Sequence, residues 1–211
     1  DSVFMRMTAS YLKPIEACRF IKANKISGRV FNYWTEGGAV ALGQEPDPQT
    51  GQIPLKLFMD GRAQAAYNHD KFKLWQSIFS GGPTAQQLMI RKKDFSFKDY
   101  EEIGQWINEQ LENYQVWVVL MPSSQQDSIF MKALAITENW KTVYLDNIQQ
   151  MLVNCETPQG EKLISLILQD QASFPNEYTK NMTLARVITE NKRTDHYNEL
   201  YSLVKTEFDI F

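Results

Sequence analysis

"VWVVLMP", Val116 to Pro122, is seven residues with no charge and no alternation. A run that is apolar throughout and ends at a proline suits a strand covered on both faces, so it is expected to form the centre of a sheet with helices on either side. The flanking sequence agrees. Asp99 to Tyr114 reads as an amphipathic helix with Ile103, Trp106, Ile107 and Leu111 on one side. Beyond the strand, Ser123 and Ser124 can cap a helix that Ile129, Phe130, Ala133 and Leu134 would pin to the sheet. "KTVYLDNIQQMLVN" then reads as a closing hairpin, because Asp146-Asn147 offers turn chemistry between two alternating runs.

Towards the amino terminus the same alternation of elements continues. Pro14 opens a helix with Ile15, Ala17, Cys18 and Ile21 on its apolar face. "RVFNYW" and "LKLFMD" read as two further strands, separated by "GQEPDPQTGQIP", whose prolines and glycines forbid regular structure. A helical pattern runs from Ala63 to Phe79 and stops at Gly81-Gly82-Pro83; "TAQQLMIRKKDFSF" fits neither period. After Cys155 the strands cease, and three helical stretches follow. The expected fold is α/β: a small, mostly parallel sheet with flanking helices and a closing antiparallel hairpin over residues 12–155, plus a carboxyl-terminal helical extension over residues 156–211.

Composition bounds the function. The 211 residues are 43% hydrophobic and 12% aromatic, enough for a sizeable core, and the net charge of -3 is spread along the chain, so no nucleic-acid partner is expected. The two cysteines, Cys18 and Cys155, sit among apolar neighbours and read as core residues, a bond between them being left open. His69 and His196 have no second ligand type at metal spacing, and no P-loop, G-x-G-x-x-G or G-x-S-x-G occurs, so neither metal nor cofactor is expected.

The candidate site comes from topology. If the first three strands run parallel, the turns Glu36-Gly37-Gly38, Asp60-Gly61-Arg62 and Pro122-Ser123-Ser124 share the edge outside the strand carboxyl ends, where open α/β sheets hold ligands. Glu36 and Asp60 could then face one crevice, with Arg62 binding an anion or keeping Asp60 ionised. A purely structural account is also open. Gly37 and Gly38, like Gly61, would supply positive φ or close packing, Asp60 would cap a helix, and Arg62 would pair with Asp60 or Glu36. Two other classes stand beside a binding edge. A self-contained hydrolase would use Glu36 and Asp60 as an acid and base pair; a protein-interaction module would expose Leu184, Val187, Leu200 and Val204 on the helical tail.

"PIEACRFIKANKISGRVFNYWTEGGAVAL", "LKLFMDGRAQAAY", "VWVVLMPSS" and "LAITENWKTVYLDNIQQMLV", taken in this order over Lys13 to Asn154, resemble the soluble carboxyl-terminal domain of bacterial polytopic membrane proteins of the C-type glycosyltransferase superfamily, relatives of the dolichyl-phosphate-mannose transferases. The family's aromatic Gly-Gly turn is here "GGAVAL", "GQEPDPQTGQIP" looks inserted, and the helical tail lies beyond the match. The resemblance implies a domain on the periplasmic face of the membrane, tethered by transmembrane helices that precede this stretch in the full-length protein. In such enzymes the catalytic acid lies in a loop between early membrane helices. The expectation is therefore a noncatalytic accessory domain, with no catalytic residue of its own, that binds an acceptor glycan or lipid-linked sugar or braces the membrane part. The parent protein would be the glycosyltransferase.

Overall fold

The computed structural model describes residues 14–44, 46, 48–59, 69–91 and 93–191. Five strands form one sheet: β1 (Gly28–Asn32), β2 (Leu55–Leu57), β3 (Val116–Pro122), β4 (Trp140–Leu145) and β5 (Gln149–Asn154), in the order β2-β1-β3-β5-β4. β1 runs parallel to β2 and to β3; β5 is antiparallel to both β3 and β4. β3 is central, and Val116 to Met121 are all buried. The fold is α/β with a mixed sheet, as the continuous apolar run requires.

Eight α-helices are described: α1 (Ile15–Ala23), α2 (Gly37–Leu42), α3 (His69–Phe79), α4 (Gly82–Ile90), α5 (Phe97–Asn113), α6 (Ile129–Ile136), α7 (Pro158–Leu168) and α8 (Glu177–Asn191). They divide between the two faces of the sheet. Ala17, Phe20 and Ile21 of α1, Val40 of α2, Leu163 and Ile167 of α7, and Leu184 and Val187 of α8 pack against Val30, Val118, Leu120, Met151 and Val153. On the opposite face Trp75, Ile78, Ala85, Ile103, Ile107, Phe130 and Leu134, from α3 to α6, pack against Phe31, Val119, Met121 and Leu152. The helices α7 and α8 thus share one core with α1 and the sheet. Leu184 and Val187, at 4% and 0% exposure, are not an open patch; Leu200 and Val204 lie outside the described residues.

Both described margins of the sheet are closed by side chains. At β2, the Leu55 amide donates to Gln44 Oε1 at 2.6 Å and Gln44 Nε2 donates to the Leu55 carbonyl at 3.2 Å. At β4, the Thr142 amide donates to Glu190 Oε2 at 2.7 Å and the Leu145 amide to Thr183 Oγ1 at 2.9 Å, so α8 stands where another strand would pair.

Local structure departs from the sequence reading at three points. Ser128, not Ser123 or Ser124, caps α6: its hydroxyl accepts from the Met131 amide, while Ser123–Gln125 form a short 3₁₀ turn. The ambiguous segment after Gly82 is α4 followed by a turn into α5, where Ser96 and Asp99 form a reciprocal capping box that holds the Asp99 carboxyl below the ordinary carboxylate range. Most consequentially, Gly37 and Gly38 are not a positive-φ turn. Gly37 has φ -52°, and the pair opens α2 directly after a 3₁₀ turn at Trp34–Glu36, because Ala39, Ala41 and Leu42 are good helix formers and Val40 anchors the turn of helix in the core. An added Cβ at Gly38 would meet nothing within 4 Å. Gly38→Ala is therefore expected to raise stability, by up to about 0.5 to 1 kcal/mol, through reduced freedom of the unfolded chain. A urea titration showing a lower midpoint would restore the turn reading.

Candidate functional edge

Because β1, β2 and β3 are parallel and β5 runs back against β3, one edge of the sheet collects the ends of β1, β2 and β3 together with the β4–β5 turn. The chain leaves β1 towards α2 on one face, and leaves β3 towards α6 on the other. Neighbouring strands whose connections part in this way leave a crevice between their carboxyl ends, the switch point of an open α/β sheet.

The floor of that edge is held by polar contacts. Asn32, fully buried at the end of β1, donates through Nδ2 to the Met59 carbonyl at 2.6 Å, and its own carbonyl accepts from Trp75 Nε1 at 3.1 Å. The Tyr33 amide donates to the Leu120 carbonyl at 3.2 Å, joining the first turn to β3. Ser123 donates its amide to the Ile148 carbonyl at 2.8 Å and its hydroxyl to the Asp146 carbonyl at 3.0 Å, joining the third turn to the hairpin. In the hairpin, Asp146 Oδ1 accepts from the Ile148 and Gln149 amides. The Tyr144 hydroxyl donates to Asp146 Oδ2; burial, and then this bond, push the phenol pKa up.

Glu36 lies in the middle of this edge, only 7% exposed, and its Oε1 accepts from Nε2 of the fully buried Gln149 at 2.8 Å. The bond ties the β1 turn to the first residue of β5. Gln149 Oε1 has no hydrogen-bond partner among the described residues. Cys18 on α1 senses the same carboxylate: burial and then the Glu36 charge push its thiol up to about 11, so it stays protonated near neutral pH and behaves as a core residue. Cys155 is also a free thiol, raised by burial, and no disulfide joins the two.

Of the residues singled out in the sequence, the structure brings Glu36 and Gly37 into a buried position on this edge and leaves Gly38 exposed on α2. Asp60, Gly61 and Arg62 lie outside the described residues; the strand that leads to them ends at Leu57, with Phe58 and Met59 buried after it. Glu36 is thus placed to organise the edge rather than to project from it. The partly exposed rim consists of Tyr33, Trp34, Ser123 and Gln125, with Thr35 and Ser124 more open. Tyr33 rests on Trp75 and Phe79, and Trp34 on Phe72.

Gln149 and Asn32 are buried polar side chains of this edge that sequence reasoning missed. A signal existed for the first. In "QQMLVN" Gln149 is in phase with Met151 and Val153, both inward, so a polar side chain at that phase needs a buried partner. No group of three or more His, Cys, Asp or Glu that could hold a metal ion occurs among the described residues. No described helix is long and apolar enough to cross a membrane. Comparisons with protein-family models, with curated proteins and with solved structures give no match.

Proposed function

We propose that this chain is a noncatalytic accessory domain of a membrane glycosyltransferase-like protein, placed on the periplasmic side, which binds an acceptor glycan or lipid-linked sugar at the carboxyl edge of its sheet. The observation that carries the reading is the switch point. Two parallel strands end side by side, and their connections part over a rim of tyrosine, tryptophan, serine and glutamine side chains. Aromatic faces beside hydroxyl and amide groups suit sugars, which offer apolar C–H faces and hydroxyls together. The buried Glu36–Gln149 pair fixes the shape of that rim. The sequence resemblance supplies the membrane context, and Arg62, which follows β2 in the sequence, offers a charge suited to a phosphorylated glycan.

The test is a glycan array followed by titration under NMR observation. Weak binding is expected, with shift changes at Tyr33, Trp34 and Ser123, and the affinity should fall by about tenfold in Trp34→Ala. Arg62→Met should weaken a phosphorylated glycan selectively. Each variant is melted alongside, so that a lost fold is not read as a lost site. Failure of all glycans to bind a folded wild-type domain would leave bracing of the membrane part as the surviving role. Glycoside turnover by the wild type, abolished by Asp60→Asn, would overturn the noncatalytic reading and favour the hydrolase.

A further inference from the structure

The corner between α4 and α5 carries an apolar tip set in basic residues. Ile90 is 82% exposed, Phe97 69% and Met89 45%, and Ile90 is the most exposed of the large apolar side chains described. Single exposed apolar residues are ordinary on a protein surface. Three at one corner are not. They also sit in the stretch "IRKKDFSFK", residues 90–98, which has four basic residues against one acidic in a chain whose net charge is -3. Arg91, Lys93 and Lys98 are all exposed.

The helices make this corner a projection. Thr84 near the start of α4 donates to Glu102 of α5 at 3.3 Å, and a Cβ at Gly82 would meet the Trp106 ring. The two helices therefore run antiparallel, with the end of α4 and the start of α5 together at the tip. The turn is held from inside: the Lys93 amide donates to the Leu88 carbonyl, Phe95 packs on Tyr100, and the Ser96–Asp99 box starts α5. Phe97 and Ile90 are thus directed outward at the junction of the two helices.

We infer that this corner docks on an anionic lipid bilayer surface. A bilayer accepts isolated projecting aliphatic and aromatic side chains at the acyl boundary while its headgroups neutralise flanking lysine and arginine. A protein partner would need a groove shaped to the tip, and an acidic polypeptide would leave Ile90 and Phe97 without a role. The location adds a consequence. α5 descends from the tip to the opposite end of the sheet: it leads through Tyr114 and Gln115 into the start of β3, and Asn108 accepts from Trp140 Nε1 at the start of β4. The tip consequently stands at the end of the molecule where the carboxyl edge opens, and docking would turn that edge towards the bilayer. The inference does not rest on the glycan reading, since lipid binding needs no sugar.

The 211-residue chain is tested by cosedimentation with vesicles of phosphatidylglycerol and phosphatidylcholine in equal parts, with vesicles of phosphatidylcholine alone, and with polyglutamate. Expected is binding to the anionic vesicles that weakens with salt and is far poorer on the neutral ones. The double variant Ile90→Ser, Phe97→Ser should lose about tenfold or more of it. Arg91→Gln, Lys93→Gln and Lys98→Gln should each lose about fivefold. All five positions are exposed, so these variants should melt as the wild type does. Absence of vesicle binding, indifference to the apolar substitutions, or equal binding to polyglutamate would each overturn the inference, the last in favour of an acidic protein partner.

Discussion

Gly104→Val is expected to destabilise the domain by about 3 kcal/mol or more. Gly104 is buried in the middle of α5, where glycine costs a helix about 1 kcal/mol relative to alanine, so its presence needs a compensating cause. The cause is the crossing with α6. A Cβ at Gly104 would stand 2.6 Å from the Ala133 carbonyl oxygen and 2.6 Å from Thr137 Cγ2. Thr137 is a side chain and can rotate; the Ala133 carbonyl belongs to the α6 backbone. Relief would therefore require α6 to move, and α6 carries Phe130, Met131, Ala133 and Leu134 into the second core. Phe130 stacks on Phe31 and Phe79, so the displacement would spread to β1 and α3. Gly104→Ala should fall between the wild type and the valine variant, its better helix propensity offsetting part of the clash. A urea midpoint unchanged in Gly104→Val would mean that the α5–α6 crossing is wider than described.

What was legible in the sequence follows from how local each signal is. The unbroken run at Val116 to Pro122 can only be a two-sided strand or a buried helix segment, and its length between turn signals decides for the strand. Asp146-Asn147 fixes the hairpin because the Asp146 side chain can reach the amides two and three residues on, as it does. Glycine pairs are poorer guides. Gly37-Gly38 has the same composition as a turn, and what decides for helix is the Ala-Val-Ala-Leu that follows together with the 3₁₀ turn before it. Contacts between distant segments were not legible in the same way. Glu36 and Gln149 are 113 residues apart, and only the strand order brings them together. The closing of the sheet margins by Gln44 and Glu190 has the same character: each is an ordinary polar residue until the fold sets it beside an unpaired strand amide.

The last expectation concerns that distant pair. Gln149→Leu keeps most of the side-chain volume and deletes the donor, so Glu36 loses a 2.8 Å charge-assisted bond at 7% exposure; a cost of about 2 to 3 kcal/mol is expected. A double-mutant cycle with Glu36→Gln isolates the coupling, which should exceed about 1 kcal/mol if the bond itself stabilises the edge. Gln149→Glu supplies a sharper test because it introduces a pH dependence of known sign. Two carboxyls at hydrogen-bond distance in a buried site cannot both ionise, so the pair would hold one proton with a folded-state pKa raised above that of the unfolded chain. Between those two pKa values the folded state binds more protons than the unfolded state, and stability must fall as pH rises through that window. The variant should therefore be strongly destabilised near pH 7 and recover, relative to the wild type, as the pH is lowered towards about 5. Melting curves for both proteins over that range decide the matter. A Gln149→Glu variant as stable as the wild type at neutral pH would show that the two side chains do not meet, and the brace beneath the ligand edge would go with it.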